Sequence, residues 1–329
     1  MQRVLSGVQP SGSLHLGNLV GAIENFVQLQ ESYQAFYMIV DWHALTSKFE
    51  STADIWPNTL EVAATFLAAG LDPEKATLFV QSQVKEHAEL HLLFSMMTPL
   101  SWLERVPTYK EKLQNAVADL GSYGFLGYPL LQAADIVIYQ AHKVPVGEDQ
   151  LFHLELTREV VRRFHFLYQT EVFPEPEAAL TKFPKVPGID GRKMSKSYEN
   201  CIYLRDTPDV ILQKCTRQMA SDTSRVRKSD PGNPEICPVF EFHKLFSAPE
   251  TVHMVDSECR KAGIGCFDCK KRLSEALVAR LEPTRQRIEA NLADPKRLED
   301  VLRDGSARAR AVAAQTMDDV RAAMKLPSL

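Results

Sequence analysis

The sequence predicts an α/β domain built on a parallel sheet and, after it, a smaller all-α domain. Short β-rich runs alternate with longer stretches of helical period through the first half of the chain. Strand character disappears after about residue 206, where Pro208, Pro231, Pro234, Pro249, Pro283 and Pro295 punctuate a helical remainder. A length of 329 residues also exceeds the usual single hydrophobic core, which independently argues for two domains.

The first strand is "RVLSGVQ" (3–9). Residues 18–31 follow with Val20, Ile23, Phe26 and Val27 on one helical face. "AFYMIVDWHAL" (35–45) then reads as a buried strand, 58–70 as a helix and "ATLFVQS" (76–82) as a third strand. This β-α-β-α-β order implies parallel strands with helices on both faces, because each crossover must pack back on the sheet. "VPVGEDQ" (144–150) reads as a further strand ending in a polar turn, and 151–168 is helical through Leu154, Val160, Val161 and Phe164. Ligands of open α/β sheets sit at the carboxyl ends of strands, so the polar residues ending these runs are the first site candidates. The final stretch, 306–324, sets Ala309, Val312, Ala313, Thr316, Met317, Val320, Ala323 and Met324 on one face. Such a face must be covered, and the first domain is the expected partner.

No run of about eighteen apolar residues occurs, and "MQRVLSGVQPSGSLHLG" lacks the regions of a secretory signal, so a soluble cytoplasmic protein without a membrane partner is expected. Residues 1–184 hold 12 Lys/Arg against 21 Asp/Glu, a net −9, whereas residues 185–329 hold 26 against 21, a net +5. The second half is the better surface for a polyanion, although so modest an excess also fits an ordinary solvated face.

"GRKMSKSYEN" (191–200) spaces Lys193 and Lys196 three apart, with Ser195 and Ser197 interleaved. Two ammonium groups and two hydroxyls on a loop opened by Gly191 can follow a triphosphate as charge moves onto the leaving pyrophosphate. An isolated K-x-x-K would read equally as a solvated basic loop. The full K-M-S-K-S pentapeptide resembles the signature loop of class I aminoacyl-tRNA synthetases, and "PSGSLHLGN" (10–18) stands where that class carries its first-strand histidine element. In it Gly17 lets backbone approach a nucleotide, Asn18 opens a helix whose N-terminus favours phosphate, and His15 can donate to a phosphate oxygen.

"SGVQPSG" (6–12), "YPLLQAADIVIY" (128–139) and "VPVGEDQLFHLELTRE" (144–159) together resemble the tryptophanyl family within that class. Tyrosyl relatives usually carry a "GGSDQ"-like turn where this chain has Gly147, Glu148, Asp149 and Gln150. The resemblance implies a Rossmann-like catalytic domain over 1–200 and an anticodon-binding helical domain over 201–305, with the helix 306–326 packing back on the first. It implies that Asp135 accepts the indole N–H, the one donor of a tryptophan side chain. It further implies that Tyr128, Gln150 and Gln9 hold the ammonium and carboxylate ends, with Ser6, Gly7, His43 and Gln132 lining the rest. Two positions depart from many bacterial members, which carry an aromatic where Leu5 stands and a methionine where Gln132 stands.

On the nucleotide side the resemblance implies ATP with Mg²⁺, contacted by Gln9, Pro10, Ser11, Gly17, Asn18, Lys112, Gly147, Glu148, Asp149, Val186 and the loop Lys193, Met194, Ser195, Lys196 and Ser197. Lys112, Lys193, Ser195 and Lys196 take the catalytic roles. The implied reaction is attack of the tryptophan carboxylate on the α-phosphorus of ATP, then transfer to tRNA(Trp), in a homodimer. The carboxylate is already ionised at neutral pH, so the first step needs no general base. Rival readings are a tyrosine-activating relative, a non-catalytic RNA-binding paralogue and an iron–sulfur redox protein.

Six cysteines without an export signal are not expected to pair as disulfides in a reducing compartment. Cys237, Cys259, Cys266 and Cys269 form C-x21-C-x6-C-x2-C, a set that could bind Zn²⁺ or a [4Fe-4S] cluster. Some tryptophanyl enzymes carry a [4Fe-4S] cluster on a similar pattern, which puts the cluster ahead of zinc as the expectation. Cys201 and Cys215 read as buried thiols. Arg225, Arg227, Lys228, Lys270 and Lys271 are candidates to face tRNA.

Overall fold

The computed structural model describes residues 1–107, 122–147, 150–180 and 186–327. Two compact units emerge, one formed by 1–12, 26–181 and 294–329, the other by 13–25 and 182–293.

The first unit is organised by a five-stranded sheet in the order β3-β2-β1-β4-β5, with β1 Arg3–Val8, β2 Gln34–Ile39, β3 Ala76–Val80, β4 Lys143–Val146 and β5 Glu177–Leu180. All four pairings are parallel, and β1 lies residue for residue against β2, from Arg3 opposite Gln34 to Val8 opposite Ile39. The burial of every residue of β3 explains why "ATLFV" is continuously apolar rather than alternating. Between β1 and β4 the order reverses, and at such a switch point the carboxyl ends of neighbouring strands leave a crevice.

One sequence expectation is corrected here. The run 35–45 is a strand only to Ile39, and Asp41 begins helix α1 (Asp41–Lys48). Unbroken apolarity does not distinguish a buried strand from the start of a buried helix. The Asp41 carboxylate accepts from its neighbour Trp42 N at 3.1 Å and from Ser82 N at 3.0 Å, which turns the chain at the strand end. Helices α2 (Ile55–Ala69), α3 (Glu86–Ser95), α4 (Tyr123–Ile138) and α5 (Leu151–Tyr168) complete the layers.

The C-terminal helix, Pro295–Ala323, belongs to this first unit. It lies against β3 so closely that a Cβ on Gly305 would stand 1.8 Å from the Leu78 carbonyl oxygen, so only glycine fits. The adjacent Ser306 hydroxyl accepts from Val80 N at 3.4 Å, which covers the edge of the sheet. Ala309, Ala313, Met317 and Val320 enter the same core as Phe36, Phe79 and Val160. Arg310–Glu86 at 2.9 Å and Arg321–Glu89 at 2.6 Å flank the contact.

In the second unit, prolines begin helices rather than end them. Pro208–Gln213, α6 (Pro238–Phe246) and α7 (Pro249–Arg260) each open on a proline, where the missing N–H costs nothing. Pro283 differs, sitting inside the 27-residue helix α8 (Cys266–Leu292). A proline there forfeits a hydrogen bond, but the buried face Leu273, Leu277, Leu281 and Ile288 holds the helix across it. No described helix is long and apolar enough to cross a membrane.

Candidate active site

Within the first unit, the site candidates collect where β1, β2 and β4 end. Gln9, Pro10 and Ser11 follow β1, His43 lies in the first turn after β2, and Gly147 follows β4. Gly7, within β1, has no room for a side chain, since a Cβ would stand 2.8 Å from Val40 Cγ1. Asp135 projects from α4 and is 2 % exposed. Its Oδ2 accepts from His43 Nε2 at 2.8 Å, its Oδ1 from His87 Nδ1 at 2.6 Å, and Gln81 Nε2 donates to both oxygens at 2.9 and 2.8 Å.

Burial alone would raise the Asp135 pKa, but the hydrogen bonds from His43 and His87, with their charge, outweigh it and leave the carboxyl below its ordinary range. An ionised Asp135 can only accept, so both histidines donate to it. His87 Nε2 lies 2.7 Å from the Tyr139 hydroxyl, and burial keeps that phenol protonated far above its usual pKa. The site therefore holds a fixed negative acceptor inside an apolar wall.

Tyr128 is half-buried, and its hydroxyl lies 2.8 Å from His153 Nε2. It also lines a 340 Å³ cavity with Trp42, Thr46, Phe49, His91 and Leu131, to which none of the other predicted tryptophan residues contributes. Ser6, Gln132 and Gln150 are half-buried. Leu5 is buried in the core, opposite Phe36 of the neighbouring strand. Lys112, Glu148 and Asp149 lie outside the described residues.

The second unit brings the two signature elements together. Residues 14–16 pair with 202–204 through Leu16 N to Ile202 O and Leu204 N to Leu14 O, both 2.9 Å. His15 caps the helix that starts at Leu16. Its Nδ1 accepts from Asn18 N at 3.3 Å, and Asn18 Oδ1 accepts from His15 N at 3.0 Å. Burial, with the Lys196 ammonium nearby, lowers the His15 pKa to about 4. His15 is thus neutral at pH 7, and because Nδ1 is an acceptor the ring proton stands on Nε2, free to be aimed at a phosphate oxygen. A Cβ on Gly17 would stand 3.7 Å from Met194 Cβ, so the first element touches the K-M-S-K-S loop directly. Met194 and Val186 are buried, Ser195 and Lys196 half-buried, and Lys193 and Ser197 exposed.

Asn200, 2 % exposed, holds that loop. Its Oδ1 accepts from Ser195 N at 2.8 Å, and its Nδ2 donates to Asp190 Oδ1 at 2.8 Å and to Lys193 O at 3.1 Å. Gly188 faces it so closely that a Cβ would meet Asn200 Nδ2 at 2.2 Å. Asn200→Ala is expected to lower ATP-dependent pyrophosphate exchange by about 10- to 100-fold, since misplacing an aligned group costs rates of that order. Tryptophan affinity, measured by equilibrium dialysis, should be unchanged.

Cys237 precedes α6, Cys259 lies in the last turn of α7, and Cys266 and Cys269 open α8. Burial, then the neighbouring Cys237, Cys259 and Cys266, pushes the Cys269 thiol up to about 12, so the four thiols are neighbours. Among the described residues, however, no group of three or more His, Cys, Asp or Glu side chains is set to hold a metal ion. The four side chains stand as a group of free thiols. Within it Cys269 Sγ lies 3.5 Å from His243 Nε2, and Cys266 Sγ 3.9 Å from Arg225 Nη1. Cys201 and Cys215 are buried as expected. Lys270 is a further correction, being buried and donating to Met219 O, because α8 turns that position inward. Arg227, Lys228 and Lys271 are exposed.

Sequence reasoning missed Gln81, His87, Tyr139 and Asn200. Gln81 directly follows β3 within the run "ATLFVQS", and Asn200 closes "GRKMSKSYEN", so a strand-end rule applied to β3 and a complete reading of the loop would have reached both.

Residues 1–282 match the family model for class I tRNA synthetases of the tryptophan and tyrosine type. A tryptophan–tRNA ligase from Thermotoga maritima is 53% identical over 327 residues, covering 98% of this chain and 99% of that protein. One from Aquifex aeolicus is 42% identical over 396 residues, covering 99% of this chain and 100% of that protein. The crystal structure of tryptophanyl-tRNA synthetase from Campylobacter jejuni, complexed with ADP and tryptophan, superposes with a TM-score of 0.90 at 35% identity, covering 99% of this chain and 100% of that one. The parallel-sheet fold agrees with these similarities, and the chain belongs to the class I tRNA synthetases, in the tryptophan–tRNA ligase family.

Proposed function

We infer that this enzyme joins tryptophan to tRNA(Trp) in two steps, with Asp135 reading the indole and the K-M-S-K-S loop carrying the phosphoryl chemistry. The observation that carries the reading is the meeting of His15 and Gly17 with Met194 and Lys196 in one unit. A neutral His15 donating from Nε2, the helix start at Asn18 and the ammonium groups of Lys193 and Lys196 make a cationic, donor-rich surface for a triphosphate. The tryptophan carboxylate attacks the α-phosphorus, the α–β phosphoanhydride bond breaks, and pyrophosphate leaves with its charge met by the two lysines. Catalysis is alignment and charge stabilisation. Mg²⁺, when bound with ATP, shares the triphosphate charge.

Tryptophan is selected because its indole N–H needs a buried acceptor, and Asp135 is a buried ionised carboxylate. Tyr128, Gln150 and Gln9 are the groups proposed for the ammonium and carboxylate ends. Pyrophosphate exchange run with tryptophan and with tyrosine tests the reading. Exchange that tyrosine supports as well as tryptophan does would overturn it.

The helical region 201–305 is proposed as the anticodon-binding part, with Arg227, Lys228 and Lys271 on its surface. Exposed Leu92, Met96, Leu100, Tyr123 and Phe152 in the first unit support a homodimer, since apolar side chains in such number are normally covered. A metal centre at Cys237, Cys259, Cys266 and Cys269 is a proposal resting on the family resemblance and on the thiols being neighbours. Thiolates suit both Zn²⁺ and a [4Fe-4S] cluster, and the similar cysteine pattern in some tryptophanyl enzymes puts the cluster first. Four irons per chain with broad visible absorption are expected from anaerobically purified protein, and a colourless, metal-free preparation would sink it.

A further inference from the structure

We infer that Gln81 is a specificity-determining positioning residue of the tryptophan site, clamping the Asp135 carboxylate so that its His43-facing oxygen is presented to the substrate. The inference rests on Asp135 being the indole acceptor. A carboxylate offers about four lone-pair sites, and Asp135 already receives four hydrogen bonds. An arriving indole N–H must therefore replace one donor.

His87 is poorly placed to yield. It is wholly buried, its second nitrogen is engaged by Tyr139, and its ring stacks at 6.3 Å on Phe79. Gln81 is equally buried and binds both oxygens, so releasing it would free the carboxylate to rotate. His43, 6 % exposed in the first turn after β2, makes a single bond to Oδ2 and is the donor that exchanges.

The orientation of Gln81 supports the same role. Its Oε1 is buried without a hydrogen-bond partner. A flipped amide would instead aim that oxygen at an ionised carboxylate, so the observed orientation is the lower-energy one. The molecule bears the cost of an unpartnered acceptor to keep the N–H2 group on Asp135, and such retained costs mark function more often than neglect.

Gln81→Met keeps the volume and removes the donor. The measurement is kcat/KM in pyrophosphate exchange for tryptophan and for 3-(3-benzothienyl)alanine, in which sulfur replaces the indole N–H. The expected result is a discrimination ratio at least about 10-fold lower than in the unmodified enzyme, through a raised KM for tryptophan, with kcat at saturation changed less than about 3-fold. Gln81→Glu, equally isosteric, should lower the ratio too and replaces the first variant if that fails to fold, as judged by thermal unfolding. Equal losses for both substrates, or no loss, would overturn the inference. Asp135→Asn separates the two levels: a ratio lowered by Asp135→Asn but not by Gln81→Met sinks the role of Gln81 alone. A ratio that Asp135→Asn leaves intact sinks the indole reading and this inference together.

Discussion

Lys196→Ala lowers tryptophan-dependent pyrophosphate exchange by about 10²–10³-fold, the size seen when one preorganised group facing developing transition-state charge is removed. Tryptophan binding stays within about 2-fold, because Lys196 is proposed to meet the triphosphate and Asp135 the amino acid. A second readout follows from His15, whose pKa is lowered to about 4 by burial and then by the Lys196 ammonium. Without that charge the His15 pKa should rise part of the way towards its ordinary value, measurable by NMR titration of the ring. Normal exchange in Lys196→Ala would refute the catalytic assignment.

Asp135→Asn is expected to cost about 3–5 kcal/mol of stability, the range for breaking a buried charged pair by removing one partner. The new amide nitrogen would face a donor of Gln81, His43 or His87, whichever way it turned. Tryptophan KM should rise by about 100-fold or more, because a site built around a buried acceptor depends on it. The pH dependence has a definite sign. The folded-state pKa of Asp135 is depressed, so its contribution is fully present above the unfolded value of about 3.9 and is lost as pH falls below it. The stability of Asp135→Asn should therefore fall less steeply below about pH 4 than that of the unmodified enzyme. Chemical denaturation across pH 2–6 reads this directly, and parallel acid limbs would contradict the assignment.

Parts of the fold were legible because their signals are local. The β-α-β-α-β pattern, the strand ends and the apolar face of 306–324 follow from residue spacing, and the parallel sheet appears as expected. The boundary at Asp41 was not legible, since a buried strand and a buried helix start share the same apolarity. Nor was the continuity of α8 through Pro283, which depends on the face that packs beneath it. Lys270 shows the same limit from another side. It counts as a surface charge in the sequence and is a buried donor in the structure.

The motifs that point to the chemistry are local. "SLHLGN", "YPLLQAAD" and "KMSKS" are contiguous and carry their spacing on the chain, so the class resemblance is read from them directly, and that resemblance marks Asp135 and the lysine loop as candidates. What surrounds those groups comes from the folded chain alone. His43, Gln81 and His87 stand 92, 54 and 48 residues from Asp135 along the chain, and no periodicity links them to it. They meet because parallel strands deliver their carboxyl ends to one side of the sheet, where burial makes each hydrogen bond to the carboxylate decisive.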